Sequence, residues 1–234
     1  MKHMITATLL SVSILIADSA LARELNVRIT NLANALYFTP LLVAAHGRGM
    51  HLFQVGQKAS FNLQLMAEGG DISGLINDVE AKGGVLVADP AAGVLAPGES
   101  ATAKFKFDEG KVTYLSIVAM LLPTNDGFVG LDAVKIPNSK GRYVFHLNGY
   151  DAATEANDEI INGGGVPGVP GIPADPGGNG GVKAKGAAGP DHNTKVHVHR
   201  GILGDTQLKG GISDLDSRIH RWLNPVAQLV VTVD

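Results

Sequence analysis

The sequence predicts an antiparallel β-sandwich with short helices in its connections. Three observations carry this reading. Several segments alternate apolar and polar residues, as in Leu25, Val27 and Ile29 against Asn26, Arg28 and Thr30. Gly, Pro, Asn and Asp punctuate the chain between those segments, as in all-β domains. With 45% hydrophobic residues in 234, the chain has ample material for one large core.

The elements follow in order. Lys2 and His3 precede an uncharged apolar run, Met4–Ile16, and then the small-x-small pattern Ala20-Leu21-Ala22. This predicts a secretory signal peptide over residues 1–22, since the run is too short for a comfortable membrane span. Residues 23–234 are then expected as a single domain that is secreted, periplasmic or extracellular, with no membrane span. Glu24–Asn31 reads as a half-buried strand. Leu41–Ala45 and His51–Val55 read as short strands around the Gly47-Arg48-Gly49 turn. Ala59–Ala67 and Ile72–Ala81 read as short helices, with Asp71 as N-cap of the second and Gly83-Gly84 as its stop. Val85–Ala88 returns to strand. Ala101, Ala103, Phe105 and Phe107 alternate with Thr102, Lys104 and Lys106, the pattern of an edge strand. Lys111–Leu122 is almost wholly apolar and reads as a central strand buried on both faces. Arg142–Leu147 and Val226–Val233 complete the strands. Residues 162–193 are dominated by Gly, Pro and Ala. Their GVPGVPGIP run is too short for a collagen helix, and the expectation is a mobile surface loop that folding does not need.

Composition narrows the function classes. The net charge of −3 and the lack of a basic stripe argue against a nucleic-acid partner. Cysteine is absent, which excludes disulfides, thiol catalysis and cysteine-based zinc sites. A secreted chain of this kind draws its stability from core size or from a bound metal.

Two Asn-, Asp- and Gly-rich segments, PTNDGFVGLD at Pro123–Asp132 and NGYDAATEAN at Asn148–Asn157, follow one another across a strand. They can gather hard oxygen donors at one end of a sheet, which suits calcium. Asp126, Asp151 and Glu155 are the leading ligands. Asp132 and Asn125 are weaker candidates, and Asp158 and Glu159 are further contributors, directly or through water. Gly127, Gly130 and Gly149 are expected to make tight turns that aim carbonyls inward. Ordinary Asx turns would leave the same residue pattern.

Those two segments, with ITNLANALYFTPLLVAAH at Ile29–His46, HLFQVGQ at His51–Gln57, VHVHRGI at Val196–Ile202 and WLNPVAQLVV at Trp222–Val231, resemble a spondin N-terminal domain. The resemblance runs over nearly all of residues 23–234 and is closest to short, cysteine-free bacterial members. It implies a calcium-binding C-two-type β-sandwich with the ion at a loop end. The animal pattern of Asp before aromatic-Val-Gly matches Asp126. The pattern Asp-Ala-Gly-Thr-Asp matches Asp151–Glu155, with Ala153 in place of Gly and Glu155 in place of the second Asp. A non-catalytic module for adhesion or binding is expected. Its partner would be an extracellular protein, a polysaccharide or a matrix component.

Histidines form a second constellation. His197 and His199 stand two apart on an apparent strand and so face the same way. Such a pair suits zinc or copper, with Asp191 or Asp205 orienting the rings. His46 and His51 flank a Gly-rich turn, and His192 and His220 lie nearby in sequence. An enzyme or redox protein built on them is the first rival reading, and a purely structural envelope module is the second. Catalytic templates are missing: there is no Gly-x-Ser-x-Gly elbow, phosphate loop or dinucleotide fingerprint. Ser116 reads as a core hydroxyl and Trp222 as a core plug at the entry to the last strand.

Overall fold

The computed structural model describes residues 23–107, 112–178, 180–187 and 192–234. The signal-peptide reading of residues 1–22 and the candidate Asp191 lie outside them. The described elements are β1 (Arg23–Asn31), β2 (Tyr37–Phe38), β3 (Leu42–His46), α1 (Phe61–Gly69), α2 (Ser73–Ala81) and β4 (Val85–Ala88). They continue with β5 (Ser100–Phe107), β6 (Tyr114–Leu122), β7 (Gly127–Lys135), β8 (Gly141–Asp151), β9 (His197–Val198) and β10 (Ala227–Val233).

The fold is mostly antiparallel β with two short helices, as expected, but it is not a C-two-type sandwich of two separate sheets. The strands run in one order, β4-β3-β6-β7-β8-β10-β1-β5, and the two edge strands β4 and β5 touch. The sheet is therefore a nearly closed barrel. The physical reason lies in β8, which is long enough to serve two neighbours. Its first half, Gly141–Leu147, pairs with β10, and its last residues, Asn148–Asp151, pair with β7. One strand thus turns the corner that would otherwise divide two sheets.

Alternation builds the interior. Leu25, Val27 and Ile29 of β1 are fully buried, and Val27 lies opposite Val231 on one side and Ala103 on the other. Each such side chain contributes about 1.5–3 kcal/mol of apolar burial. Strand β6 serves two cores, which explains its almost wholly apolar run. Leu115, Ile117, Ala119 and Leu121 face the barrel interior, while Val118, Met120 and Leu122 pack outward with Leu63, Met66, Leu75 and Val79 of the helices.

Both helices form near their expected places. The Ser60 hydroxyl accepts from the Leu63 N–H at 3.1 Å and starts α1, and Gly70 ends it in the left-handed region. Asp71 accepts from Ser73 N–H at 2.9 Å, but it is not the N-cap expected of it: that position is Ile72, which makes no side-chain capping bond. Two further expectations are corrected. His51–Val55 is not a strand; Asp132 accepts from Leu52 N–H at 2.9 Å and lies 2.6 Å from the His51 ring, which fixes this segment as a loop. The stretch read as turn-like at 123–132 is a strand from Gly127 onward.

The Gly/Pro-rich stretch runs largely at the surface, as expected of a loop, but it is anchored at a few points. Ile172 is fully buried in a small cluster with Ile202 and Leu215, against Ile161 and Trp222. Asp214 gathers its backbone: one carboxylate oxygen accepts from Val182 and Ala184 N–H at 2.7 and 3.0 Å, the other from Ile161 N–H at 2.9 Å. Carboxylate-to-backbone bonds supply the anchoring that the stretch's few apolar side chains do not.

Candidate functional site

The hairpin between β6 and β7 positions the first candidate. The Thr124 hydroxyl donates to Leu121 O at 2.6 Å and accepts from Gly127 N–H at 3.0 Å, closing the loop 123–126. Asp126 is held at its end, fully buried. One of its carboxylate oxygens, Oδ2, accepts from Thr154 N–H (2.7 Å), Glu155 N–H (3.1 Å) and the Thr154 hydroxyl (3.2 Å). The other, Oδ1, is buried without a hydrogen-bond partner.

Asp151 ends β8 opposite Gly127, and His197 of β9 lies opposite Asp151. The ladder therefore brings both carboxylates and His197 to one end of the sheet. Asp151 Oδ1 accepts from Ala153 N–H at 2.7 Å, and Oδ2 accepts from the Asn157 amide at 2.9 Å. Its Oδ2 also lies 3.7 Å from His197 Nε2 and 3.9 Å from His199 Nε2. Burial, and then the neighbouring Asp151 charge, push the Asp126 carboxyl well above the usual carboxylate range. The hydrogen bonds from Thr154 and Glu155 offset this only in part.

Glu155, the third expected ligand, turns away. Its backbone serves Asp126, but its carboxylate accepts from Gly171 N–H at 2.9 Å and from the Asn125 amide at 3.4 Å. Its other oxygen, Oε1, is buried without a partner, as is Oε2 of the buried Glu68. Burial raises the Glu155 carboxyl to about 7, and the Glu68 and Asp158 charges add to that rise. Asn125 likewise ties loops together: its amide donates to Asp158 at 2.8 Å, and its oxygen accepts from Glu159 N–H at 3.1 Å. Asp132 serves the 51–53 loop on another part of β7. Glu159 accepts from Leu203 and Gly204 N–H and from the Ser213 hydroxyl. Asp205 accepts from Gln207, Ile212 and Ser213 N–H, so it braces its own loop rather than a histidine ring. The structure thus gathers Asp126 and Asp151, adds the two histidines, and assigns the remaining candidates to loop architecture. Among the described residues, no three His, Asp or Glu side chains already converge as a metal-holding group.

The glycines have a different role from the expected one. Gly127, Gly130 and Gly149 lie inside strands and not at positive φ. A Cβ on Gly127 would lie 2.7 Å from the Thr124 hydroxyl and 3.2 Å from the His199 ring. The site closes because that atom is missing. Ala153, which stands where the animal pattern has Gly, is in the left-handed region at φ 58°.

Sequence reasoning placed the Ser116 hydroxyl in the core but missed its buried partner, His46. His46 Nε2 lies 2.8 Å from the Ser116 hydroxyl, which also accepts from Ala133 N–H at 2.8 Å where the β6–β7 register shifts. Both side chains are fully buried, so the pair completes a β-bulge and faces no substrate. The only hint was two polar residues in apolar strands.

The fold is thus a nearly closed antiparallel barrel with acidic loops at one end. A family model for the spondin N-terminal domain, Spondin_N, matches residues 30–158, and the chain belongs to that family. No curated protein matches the chain. The matched span ends before β9 and β10, although β10 completes the sheet between β8 and β1.

Proposed function

We propose that this protein is a non-catalytic binding module, outside the inner membrane, whose loop end is locked by a divalent cation between Asp126 and Asp151. Calcium is the ion that the acidic loops favour. The single observation that supports the reading is the buried carboxylate pair with an unpartnered Asp126 oxygen. Two buried like charges are costly unless a proton or a cation sits with them. With Glu155 engaged elsewhere, the pair supplies two carboxylates, enough to neutralise one divalent ion. Backbone carbonyls or waters would supply the remaining oxygens calcium requires. When bound, the ion would supply charge compensation and loop rigidity. The chain's own residues do the rest. Thr154 and Glu155 N–H groups fix one Asp126 oxygen, and Asn157 fixes Asp151, so the donors are set before binding. The leader read at residues 1–22 supports secretion, and no described helix is long and apolar enough to cross a membrane. The partner class that suits such a module is an extracellular protein, polysaccharide or matrix component.

The test is thermal unfolding of the protein in chelator and in millimolar calcium. A ligand at a hundred times its Kd stabilises the folded state by about 2.7 kcal/mol, which is easily read as a rise in Tm. Asp151→Asn should remove most of that rise. An unchanged midpoint in the wild-type protein rejects the reading.

A further inference from the structure

We infer that the outer face of β5, β1, β10 and β8 docks an acidic polysaccharide whose charges are carboxylates, which rests on the binding-module reading above but not on its cation. Alternation sets this face. Leu25, Val27 and Ile29 of β1 point into the barrel, so Asn26, Arg28 and Thr30 point out. The same alternation turns Thr102, Lys104 and Lys106 of β5 outward, and Arg142, Val144 and His146 of β8, all six exposed.

Register then sorts the outward residues into rows. Lys104, Asn26, Thr232 and Arg142 lie opposite one another across the four strands. Neighbouring strands stand about 4.8 Å apart, so Lys104 and Arg142 end a row about 14 Å long. In the next row Arg28 stands between Thr102 and Val230, about 7 Å further along the strands. The three cations form a triangle drawn from distant parts of the chain, which is why no basic stripe shows in the sequence. None of the three makes an ion pair among the described residues. Arg28 is held on the face by the Ser100 hydroxyl, which accepts from its Nη2 at 3.2 Å. Glu24, the one outward carboxylate of these paired rows, lies opposite Lys106 at the margin, with Asp234 beside it. The triangle is therefore left uncompensated in a chain whose net charge is −3.

Charge complementarity selects a polyanion, and the rest of the face selects among polyanions. Among the outward residues described, none is aromatic, so nucleic-acid bases find no stacking platform. Val144 alone is an exposed aliphatic, too little to enter a bilayer. Between the cations stand Asn26, Thr102 and Thr232, whose amide and hydroxyl groups hydrogen-bond sugar hydroxyls. Duplex DNA presents a charge about every 1.7 Å, whereas these cations stand about 8–14 Å apart. A chain whose carboxylates are separated by neutral hydroxyls fits that spacing. Arg28 and Arg142 offer planar forks that match a carboxylate.

Biolayer interferometry of the full chain on immobilised polygalacturonate, in chelator and at low salt, tests this. Binding that weakens as sodium chloride is raised is expected, with none to neutral dextran. Arg28→Gln combined with Arg142→Gln should weaken binding at least tenfold, and Lys104→Gln alone about threefold. Lys209→Gln, which removes an exposed loop cation elsewhere, should change it less than twofold. Thermal melts confirm that each variant is folded. Competitors are compared at equal concentration of charge. Heparin, duplex DNA or anionic phospholipid vesicles that displace the protein at a lower concentration than free polygalacturonate does would overturn the assignment. Absence of binding, or binding indifferent to Arg28, Arg142 and Lys104, overturns it too. Because chelator is present throughout, each of these failures leaves the cation reading standing, and a melt unmoved by calcium rejects that reading alone.

Discussion

Asp126→Asn is expected to stabilise the metal-free protein at pH 8 while abolishing its response to cations. The substitution keeps an oxygen for the Thr154 and Glu155 N–H groups and places an amide where the unpartnered oxygen lies. Burial and Asp151 raise the Asp126 carboxyl from 3.8 to about 7. A shift of roughly three units corresponds to about 4 kcal/mol at most, and Asn should recover about 2–4 kcal/mol of it. The sign follows from proton linkage. The folded state holds its proton more tightly than the unfolded chain, so no stability is lost below about pH 4. Stability then falls as pH rises toward 7. The variant should therefore match the wild type near pH 4 and exceed it increasingly up to pH 8. Glu155, raised in the same direction, leaves a smaller fall in both proteins. For a chain of this size the gap at pH 8 amounts to roughly 5–15 °C in Tm. Melts in chelator across pH 4–8 measure it. A variant less stable than the wild type at pH 8, or a gap that does not grow with pH, refutes the argument that the pair is an electrostatic burden relieved by a cation.

Three other outcomes are expected. Ile172→Ala should cost about 2–4 kcal/mol in urea unfolding, because it empties the cluster with Ile202 and Leu215; a cost under 1 kcal/mol would mean that Ile172 does not anchor the Gly/Pro-rich stretch. Ser116→Ala should cost about 2–4 kcal/mol, since it strips a partner from both His46 and Ala133 N–H in a fully buried bulge; near-neutral unfolding data would contradict that bonding pattern. Ala153→Gly should gain about 0.5–1 kcal/mol by relieving a left-handed alanine, and a loss in Tm would mean the turn needs the alanine's stiffness.

Much of the fold is legible in the sequence because alternation is a local property. Leu25, Val27 and Ile29 declare β1, and Ala101–Phe107 declares β5, with no knowledge of their neighbours. The almost wholly apolar run to Leu122 announces a strand covered on both faces, whereas the Ser60 and Gly70 caps of α1 were read only in the structure. The glycines misled because Gly127 and Gly130 read as turns. They are strand positions where the Thr124 and His199 side chains and the Phe53 ring need the space. Barrel closure was also invisible, since it depends on β8 pairing with β10 along one half and β7 along the other. Nothing local in Gly141–Asp151 records that change of partner.

The candidate site divides in the same way. The sequence by itself determined that Asp126 and Asp151 sit at neighbouring chain reversals, and that His197 and His199 share a face. Only the tertiary structure decided which of these meet. Register sets Asp151 between Gly127 and His197, whereas Glu155 is drawn to Gly171 and Asn125. It also decided that the two histidines differ, because Lys195 offers one ring a carbonyl and Gly201 offers the other an N–H. Spacing along the chain fixes which side chains can face together; only the packed backbone fixes which lone pairs and protons they present.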